Sequence, residues 1–328
     1  MPILSTRNLI FGLVMCVSAS QSFGAPDIQI EKTNHRGWEG SYKIGNGVVQ
    51  AVVVPAIGRV MQFNFKGETM NPFWENPMLG GAKVQPQSSD WINFGGDKTW
   101  PSPQDDWGKV TPRGWPPPQA FDSMSVSATT NAHSIILDSP IDPHFGIKTH
   151  REITLRPGQA VMDIVTTYEK VSGPALKAGV WIITQLAEPE LVCIPLPATS
   201  QLTNGYFLMG ADAPEGLKVK DGLLTHTRGT KKATKIGTEA STLIWVGPGH
   251  IVRIDSPRIP SASYPDSGTS AQVYTNPDPL PYVELEMLAP LNDLKIGSKI
   301  SQTNTYTLYH RTGTDAMGQI RSIVAGKP

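Results

Sequence analysis

The chain has 328 residues with 28 basic and 28 acidic side chains, so its formal charge is zero. This balance argues against nucleic acid or an anionic membrane as a partner, because both need a basic surface. Glycine (31 residues) and proline (29 residues) are numerous and dispersed between apolar runs. Glycine and proline spaced in this way between apolar runs are typical of many short strands joined by turns and not of a disordered chain.

The first 24 residues have the pattern of a cleavable secretory signal. Arg7 precedes an apolar run from Leu9 to Val17, and small residues follow as far as Gly24. The run is too short to span a bilayer, and no later stretch approaches that length. We therefore expect residues 1–24 to be removed and residues 25–328 to form one periplasmic or secreted domain with no membrane span.

Cysteine usage agrees with this prediction. Cleavage would remove Cys16 and leave Cys193 alone, so an intramolecular disulfide cannot form even in an oxidising compartment. A domain of roughly 300 residues can bury enough apolar surface without such a cross-link. We expect Cys193 to be buried.

Ten segments alternate apolar and polar residues or are rich in β-branched residues, and each predicts a strand. In chain order they are 48–54, 60–65, 134–137, 148–155, 161–169, 179–186, 243–246, 250–254, 282–288 and 301–309. The tetrapeptide Arg156–Gln159 between two of them contains Pro and Gly, which predicts a hairpin turn. Almost no segment has helical periodicity. The pattern predicts an all-β fold, a large antiparallel β-sandwich in one domain.

The segment from Asp90 to Gln119 contains four of the eight tryptophans among Pro, Gly, Asp and Gln. We expect a long loop here and not an ordinary strand, and such loops are usually functional. A pyranose has apolar C–H faces and a rim of hydroxyls, so it is bound by stacking on Trp and by polar side chains. The candidate binding residues are Trp91, Asp97, Lys98, Trp100 and Gln104. The alternative is a loop whose tryptophans only cap one end of the sandwich.

The predicted strand from Tyr282 to Leu288 has two glutamates. With a period of two residues, Glu284 and Glu286 share one face with Tyr282 and Leu288, about 7 Å apart along the strand. A half-buried carboxyl group can have a raised pKa and act as an acid or base. The alternative is a solvent-facing strand with ordinary surface glutamates.

Two histidines lie on or just before the strand that begins near residue 148. His150 shares a strand face with Glu152, next to Arg151, whereas His144 precedes the strand by several residues. Their separation in extended chain argues against a metal pair, and a role in proton transfer competes with a structural or surface role. The remaining histidines have no context that distinguishes them; these are His35, His133, His226, His250 and His310.

Several common catalytic signatures are absent from the sequence. It contains no Gly-x-Ser-x-Gly elbow, no glycine motif for nucleotides, no His-Glu-x-x-His and no paired cysteine motif. A serine hydrolase, a nucleotide-dependent enzyme and a zinc enzyme are therefore disfavoured. We expect no cofactor and no metal.

Several segments, taken in their order along the chain, resemble the galactose-mutarotase-like (aldose 1-epimerase-like) superfamily. They are Asn46–Pro55, Gly58–Phe63, Tyr282–Pro290, Leu291–Lys295 and Thr303–Tyr309. Asn93–Gln104 and Trp181–Gln185 are more similar to an uncharacterised bacterial branch of it. The resemblance covers most of residues 25–328.

The resemblance implies a β-supersandwich with a sugar-sized cleft, in which Trp181 would contact the ligand. It also implies that a glutamate removes the anomeric proton while a histidine protonates the ring oxygen. Glu286 matches the position of the glutamate, with Glu284 as the second choice. The strand that would carry the histidine has none in Trp181–Gln185, so His150 or His144 would have to replace it.

Three hypotheses follow for the function. The first is an exported carbohydrate-binding protein with a saccharide ligand in a cleft lined by Trp and Glu. The second is a cofactor-free enzyme of the aldose 1-epimerase type that uses a Glu base and a His acid. The third is a non-catalytic scaffold or assembly factor of the cell envelope.

Overall fold

The computed structural model describes Met1 and residues 28–84, 90–210, 213–214 and 216–326. The predicted signal segment lies outside the described residues, apart from Met1. No helix within the described ranges is long and apolar enough to cross a membrane.

The strands and helices have the following bounds. The first half of the chain contains β1 (Gln29–His35), β2 (Trp38–Gly45), β3 (Val49–Val54), β4 (Arg59–Phe65), β5 (Asp97–Ser102), α1 (Trp107–Val110), α2 (Gln119–Asp122), β6 (Ser127–Thr130), β7 (Ser134–Asp138), β8 (Ile147–Leu155) and β9 (Val161–Lys170). The second half contains β10 (Leu176–Ala187), β11 (Leu191–Pro195), β12 (Tyr206–Leu208), β13 (Lys218–Lys220), β14 (Leu223–His226), β15 (Thr234–Thr238), β16 (Thr242–Val246), β17 (His250–Asp255), β18 (Ala271–Thr275), β19 (Tyr282–Leu288), β20 (Asn292–Leu294), β21 (Lys299–His310) and α3 (Ala316–Val324).

These strands form two antiparallel sheets. The first has 11 strands in the order β1-β2-β3-β4-β5-β10-β19-β18-β15-β12, with β20 paired to β10. The second has 10 strands in the order β13-β14-β11-β16-β17-β21-β9-β8-β7-β6. The predicted all-β antiparallel sandwich is therefore confirmed, and each of the ten predicted strands is present within a few residues of its expected bounds.

The hydrophobic core lies between the two sheets and follows from the alternation of side chains along each strand. On β19, Val283, Leu285 and Met287 belong to this core. Tyr306 and Leu308 on β21 of the second sheet join the same cluster. Since alternate residues of β19 enter the core, Glu284 and Glu286 must lie on the opposite face of the first sheet.

The expectation of a continuous loop between Asp90 and Gln119 was wrong. Asp97–Ser102 forms β5, a central strand of the first sheet that pairs with β10 along its whole length. The Pro and Gly residues on either side of it hid a strand that is only six residues long. The expectation that almost nothing is helical also missed α3, whose Ile320 and Ile323 are buried against the second sheet.

The hairpin predicted at Arg156–Gln159 is confirmed. It joins β8 to β9, which pair in antiparallel register, and Gly158 has a positive φ of 66°. The side chain of Asn46, in the first sheet's β2–β3 turn, donates to the carbonyl oxygens of Arg156 and Gln159 at 2.6 and 2.7 Å. The buried Cys193 on β11 is a free thiol, and burial raises its pKa to about 12.

Candidate functional site

The outer face of the first sheet, opposite the core, carries two rows of mostly polar residues across five neighbouring strands. Strand register aligns the first row as Lys98, Ile183, Glu286 and Gln272. The second row is Gln185, Glu284, Tyr274 and Lys235. Cross-strand neighbours on one face lie about 5 Å apart, so the two rows form one continuous patch. We name its four charged residues, Lys98, Lys235, Glu284 and Glu286, the Lys–Glu cluster.

Glu286 is fully buried and is held through one carboxylate oxygen. Its Oε2 accepts from Nε1 of Trp181 at 2.8 Å and lies 2.9 Å from Nζ of Lys235. Its Oε1 has no hydrogen-bond partner among the described residues. Burial raises the pKa of Glu286, and the nearby Lys235 opposes this rise. The carboxyl group is therefore able to exchange a proton close to neutral pH.

Glu284 lies two residues earlier on the same face and is also nearly buried. Its Oε1 accepts from Nε2 of Gln185 at 2.8 Å and lies 3.8 Å from Nζ of Lys98. The alternative of solvent-facing surface glutamates was therefore wrong for both residues. The two carboxylates each lie near one lysine of the cluster.

Lys98 is fully buried between aromatic rings. Its Nζ lies 4.3 Å from the ring centroid of Trp100 and 5.1 Å from that of Trp91. It has no hydrogen-bond partner within the described chain, although Glu284 is nearby. Burial lowers the pKa of Lys98 to about 8, because the charged ammonium loses its hydration.

Trp100, which lies beside this lysine, is the centre of a cluster of five tryptophans. Trp100 makes edge-to-face contacts with four others, with ring centroids 5.3 to 6.3 Å apart; these are Trp91, Trp107, Trp115 and Trp181. Trp115 is 46% exposed, whereas Trp100 is 4% exposed. The cluster thus extends from the buried lysine to the protein surface and offers an aromatic face to a ligand.

A buried ion pair outside the Lys–Glu cluster holds Trp100 in place. Arg59 on β4 pairs with Asp122 on α2 at 3.0 Å and donates to the carbonyl oxygen of Gly95 at 2.7 Å. The same Asp122 oxygen accepts from Nε1 of Trp100 at 2.9 Å. These contacts fix the orientation of the Trp100 ring over Lys98.

Four buried polar atoms in these two rows have no hydrogen-bond partner in the part of the chain that the structure describes. They are Nζ of Lys98, Oε1 of Gln185, Oε1 of Glu286 and Oε1 of Gln272. Buried polar groups are satisfied in more than nine cases out of ten, so four on one face indicate a site for a polar ligand. One is a donor and three are acceptors, which suits hydroxyl groups. Among the described residues no three metal-ligating side chains converge here.

Two of the predicted binding residues, Asp97 and Arg151, instead lie between the sheets. Asp97 on β5 forms a buried ion pair with Arg151 on β8 of the second sheet. The other carboxylate oxygen of Asp97 accepts from the hydroxyls of Thr184 and Tyr306 at 2.8 and 2.6 Å. Alternation along β5 and β10 turns these side chains inwards, so the pair joins the two sheets and is not part of the Lys–Glu cluster.

The other candidates are dispersed. His150 lies on β8 in the second sheet with Nδ1 3.1 Å from the carboxylate of Asp138, and its side chain is 43% exposed. His144 lines a separate cavity of about 370 Å³ formed with residues 111–113, 116–120, 124 and 140–143, and no charged residue of the Lys–Glu cluster lines it. Gln104 is exposed in a short 3-10 helix after β5. The structure therefore does not bring His144, His150 or Gln104 to Glu286.

The sequence interpretation missed Lys235, Gln272 and Gln185. Lys235 and Gln272 lie on β15 and β18, two strands of five residues that the sequence interpretation did not predict. Only the pairing of β15 with β18 and of β18 with β19 brings these residues to the glutamates. Gln185 lies at the end of the quoted Trp181–Gln185 segment, on the same strand face as Trp181.

No protein-family model matches the sequence, and no curated protein matches it. Solved structures do have a similar fold. A TPR-domain containing protein from Parabacteroides distasonis superposes with a TM-score of 0.56 and 14% sequence identity. The match covers 84% of this chain, but this chain spans only about half (48%) of that protein. A galactose mutarotase-like protein from Lactobacillus casei has a TM-score of 0.55 and 9% identity, over 82% of this chain and 100% of the other.

A putative aldose 1-epimerase from Klebsiella pneumoniae is similar to the same extent. Its TM-score is 0.54 with 11% identity, over 92% of this chain and 86% of the other. Identities this low show the fold alone. The chain therefore has the galactose mutarotase-like fold that its sequence resembles.

Proposed function

We propose that this protein, with its galactose mutarotase-like fold, binds a carbohydrate on the outer face of the first sheet. The observation that carries the proposal is the group of four buried and unpartnered polar atoms beside a tryptophan cluster, on Lys98, Gln185, Glu286 and Gln272. Such atoms are costly without a ligand, because each has lost its water without gaining a partner.

The chemistry of the patch fits a sugar better than an apolar ligand. A sugar hydroxyl both donates and accepts, so it would satisfy the Lys98 ammonium and the free oxygen of Glu286 together. Trp115, which contacts Trp100 and is 46% exposed, offers a ring to the C–H face of a pyranose at the surface end of the tryptophan cluster. Lys235, whose side chain is 19% exposed, lies over Trp181 at 4.5 Å and marks the rim of the patch.

Calorimetric titration with single sugars tests binding. The panel includes neutral aldohexoses, their uronic acids and short oligosaccharides. We expect one ligand class to bind, and we expect Lys98→Met and Trp100→Ala to weaken it by at least about tenfold, the loss of a charge-assisted hydrogen bond or of an aromatic contact. Lys109→Met is the matched control, since Lys109 is an exposed lysine paired with Asp106.

Two results would contradict binding at this face. One is the absence of binding across the panel at millimolar sugar. The other is an affinity that Lys98→Met and Trp100→Ala leave at the wild-type value while circular dichroism shows folded variants.

A second candidate, aldose 1-epimerase-like catalysis, is favoured by the opposite pKa shifts of Glu286 and Lys98. Burial raises the pKa of Glu286 and lowers that of Lys98 to about 8, which brings both towards neutral pH. The Glu286 carboxylate would remove the proton from O1 while the C1–O5 bond breaks and Lys98 protonates the ring oxygen. Rotation about C1–C2 and the reverse steps would then give the other anomer.

In this candidate Lys98 takes the role of acid that His150 and His144 were expected to fill. Polarimetry of freshly dissolved α-glucose and α-galactose tests it, with Glu286→Gln and Lys98→Met as the variants and His150→Ala as the control. We expect both variants to remove the acceleration and the control to retain it. If the wild-type protein does not accelerate the equilibration of the anomers, the catalytic candidate is rejected, whereas the binding proposal is unaffected.

We also propose that the protein is exported to the periplasm or secreted. The order of Arg7, an apolar run and small residues near Gly24 supports this proposal. Fractionation of the native host with an antibody, together with N-terminal sequencing of the mature chain, tests it. An uncleaved chain in the cytoplasmic fraction would contradict export.

A further inference from the structure

Away from the Lys–Glu cluster, two histidines and a glutamate converge where the two sheets meet. His250 begins β17 and His310 ends β21, and the two residues are directly opposite in the antiparallel register of the second sheet. Cross-strand pairs lie on one face with their Cβ atoms about 5 Å apart. Glu68, in the turn that follows β4 of the first sheet, extends towards both imidazoles.

The ligand atoms of the three side chains lie within 4.8 Å of one another. Oε2 of Glu68 is 2.8 Å from Nε2 of His250, and Oε1 is 3.7 Å from Nδ1 of His310. Ligands of a tetrahedral zinc ion, with bonds of about 2.0 to 2.2 Å, lie about 3.3 Å apart. The three ligand atoms, which lie within 4.8 Å of one another, must therefore move closer together by up to about 1.5 Å to bind one ion, and rotation of the partly exposed side chains of Glu68 and His310 supplies this movement.

The surroundings orient both imidazoles for this role. Nδ1 of His250 lies 3.0 Å from Sδ of Met70, a weak acceptor. Nε2 of His250 and the carboxylate of Glu68 share a hydrogen bond of 2.8 Å in this structure. When Nδ1 donates to the sulfur instead, Nε2 is free to bind a metal ion that takes the place of that proton.

His310 is held by stacking and remains open to solvent. Its ring stacks on Phe65 with centroids 3.7 Å apart and planes 11° apart. Its side chain is 56% exposed, whereas that of His250 is 3% exposed. The site thus has a buried ligand that fixes the geometry and an open side through which an ion and a water ligand can enter.

We propose that Glu68, His250 and His310 form a binding site for a divalent transition-metal ion, with zinc as its first ligand to test. Two imidazole nitrogens and a carboxylate are a donor set that suits zinc and copper and does not suit calcium or magnesium. Because Glu68 follows a strand of the first sheet and the histidines lie at strand ends of the second, the bound ion would link the two sheets at this end of the sandwich. Metal binding would therefore stabilise the folded chain.

Titration of the untagged, EDTA-treated mature chain with zinc chloride tests the site by calorimetry and thermal unfolding. We expect one zinc ion per chain and a rise in Tm. Glu68→Gln and His310→Ala should weaken binding by at least about tenfold and remove the rise in Tm. Both residues are partly exposed, so these variants should fold, as circular dichroism will check. His133→Ala, which removes an exposed histidine in the β6–β7 turn, is the control that retains binding.

X-ray absorption at the zinc edge gives a second measurement, in which two imidazole ligands are expected. The proposal is overturned by the absence of saturable binding up to millimolar zinc, by variants that bind as tightly as the wild type, or by a spectrum without imidazole. These measurements do not involve a sugar, so they are independent of the proposed carbohydrate site.

Discussion

Lys235 and Glu286 form an ion pair on the outer face of the first sheet, with Nζ of the lysine 2.9 Å from Oε2 of the glutamate. The lysine reaches Glu286 diagonally, since its direct partner in the neighbouring strand is Tyr274. The pair leaves Oε1 of Glu286 without a partner among the described residues. One oxygen is thus anchored while the other is buried without a partner.

We predict that Lys235→Met destabilises the protein by about 2–4 kcal/mol at pH 8, because it leaves a buried carboxylate without its counter-charge. The pKa of Glu286 is already raised, so the folded state holds its proton to higher pH than the unfolded state, and stability falls as pH rises through this window. Removing Lys235 raises this pKa further. The loss should therefore be much smaller at pH 5 than at pH 8.

Urea unfolding of the wild type and of Lys235→Met at both pH values measures this difference. Lys299→Met, which breaks an exposed pair with Glu169, should cost less than about 1 kcal/mol at either pH. Adding Glu286→Gln to Lys235→Met should recover most of the stability at pH 8. Equal losses for Lys235→Met at pH 5 and pH 8 would show that the charge of Glu286 is not responsible.

Arg151→Met should destabilise the fold by about 3–5 kcal/mol without changing which sugar binds. The substitution leaves Asp97 charged and buried between the sheets, and breaking such a pair is costly. Arg156→Met is the matched control, because its pair with Asp163 is exposed and should contribute at most about 1 kcal/mol. Chemical unfolding gives both values.

Sugar titration of the folded Arg151→Met variant then separates structure from recognition. We expect a similar ligand preference and affinity. If the folded variant has near wild-type stability but no longer binds sugar, Arg151 takes part in sugar binding and its proposed structural role is contradicted.

The stability of the protein should fall as pH is lowered from about 6.5 to 4, with a contribution from His226 of up to about 3 kcal/mol. His226 on β14 is buried, and neither ring nitrogen has a partner among the described residues. Burial lowers its pKa to about 4. The unfolded chain therefore takes up the proton first as pH falls, and the folded state loses stability.

Unfolding free energies of the wild type and His226→Leu across this pH range measure the contribution. The variant should lose less stability than the wild type on acidification, whereas His133→Gln, at an exposed position, should follow the wild type. Parallel curves for the wild type and His226→Leu would contradict a depressed pKa at this histidine.

Period-two patterning predicted much of the fold because burial of alternate residues repeats along a strand. It gave ten of the strands and also the shared face of Glu284 and Glu286. It did not detect β5, where Pro and Gly flank a short strand that is stabilised by its neighbours. The six residues of β5 include Pro101 and follow Gly95 and Gly96, and these turn-forming residue types masked its period.

The candidate site was predicted in part. Lys98, Trp100, Trp91, Trp181, Glu284 and Glu286 do lie together, while Asp97 and Arg151 form a pair between the sheets, and His144, His150 and Gln104 lie elsewhere. Adjacent residues in a strand have opposite directions, so Asp97 and Lys98 could not both belong to one face. The sequence analysis interpreted this segment as a loop, in which neighbouring side chains can point the same way, and so grouped Asp97 with Lys98.

The sequence by itself determined the all-β class, the long antiparallel strands and the face that each strand presents to the core, because these depend on local alternation and turn residues. Only the tertiary structure decided that Lys235 meets Glu286, that Arg151 meets Asp97, and that Glu68, His250 and His310 converge. Each of these contacts depends on the order and register of strands that are distant in sequence, and local patterns do not encode that register.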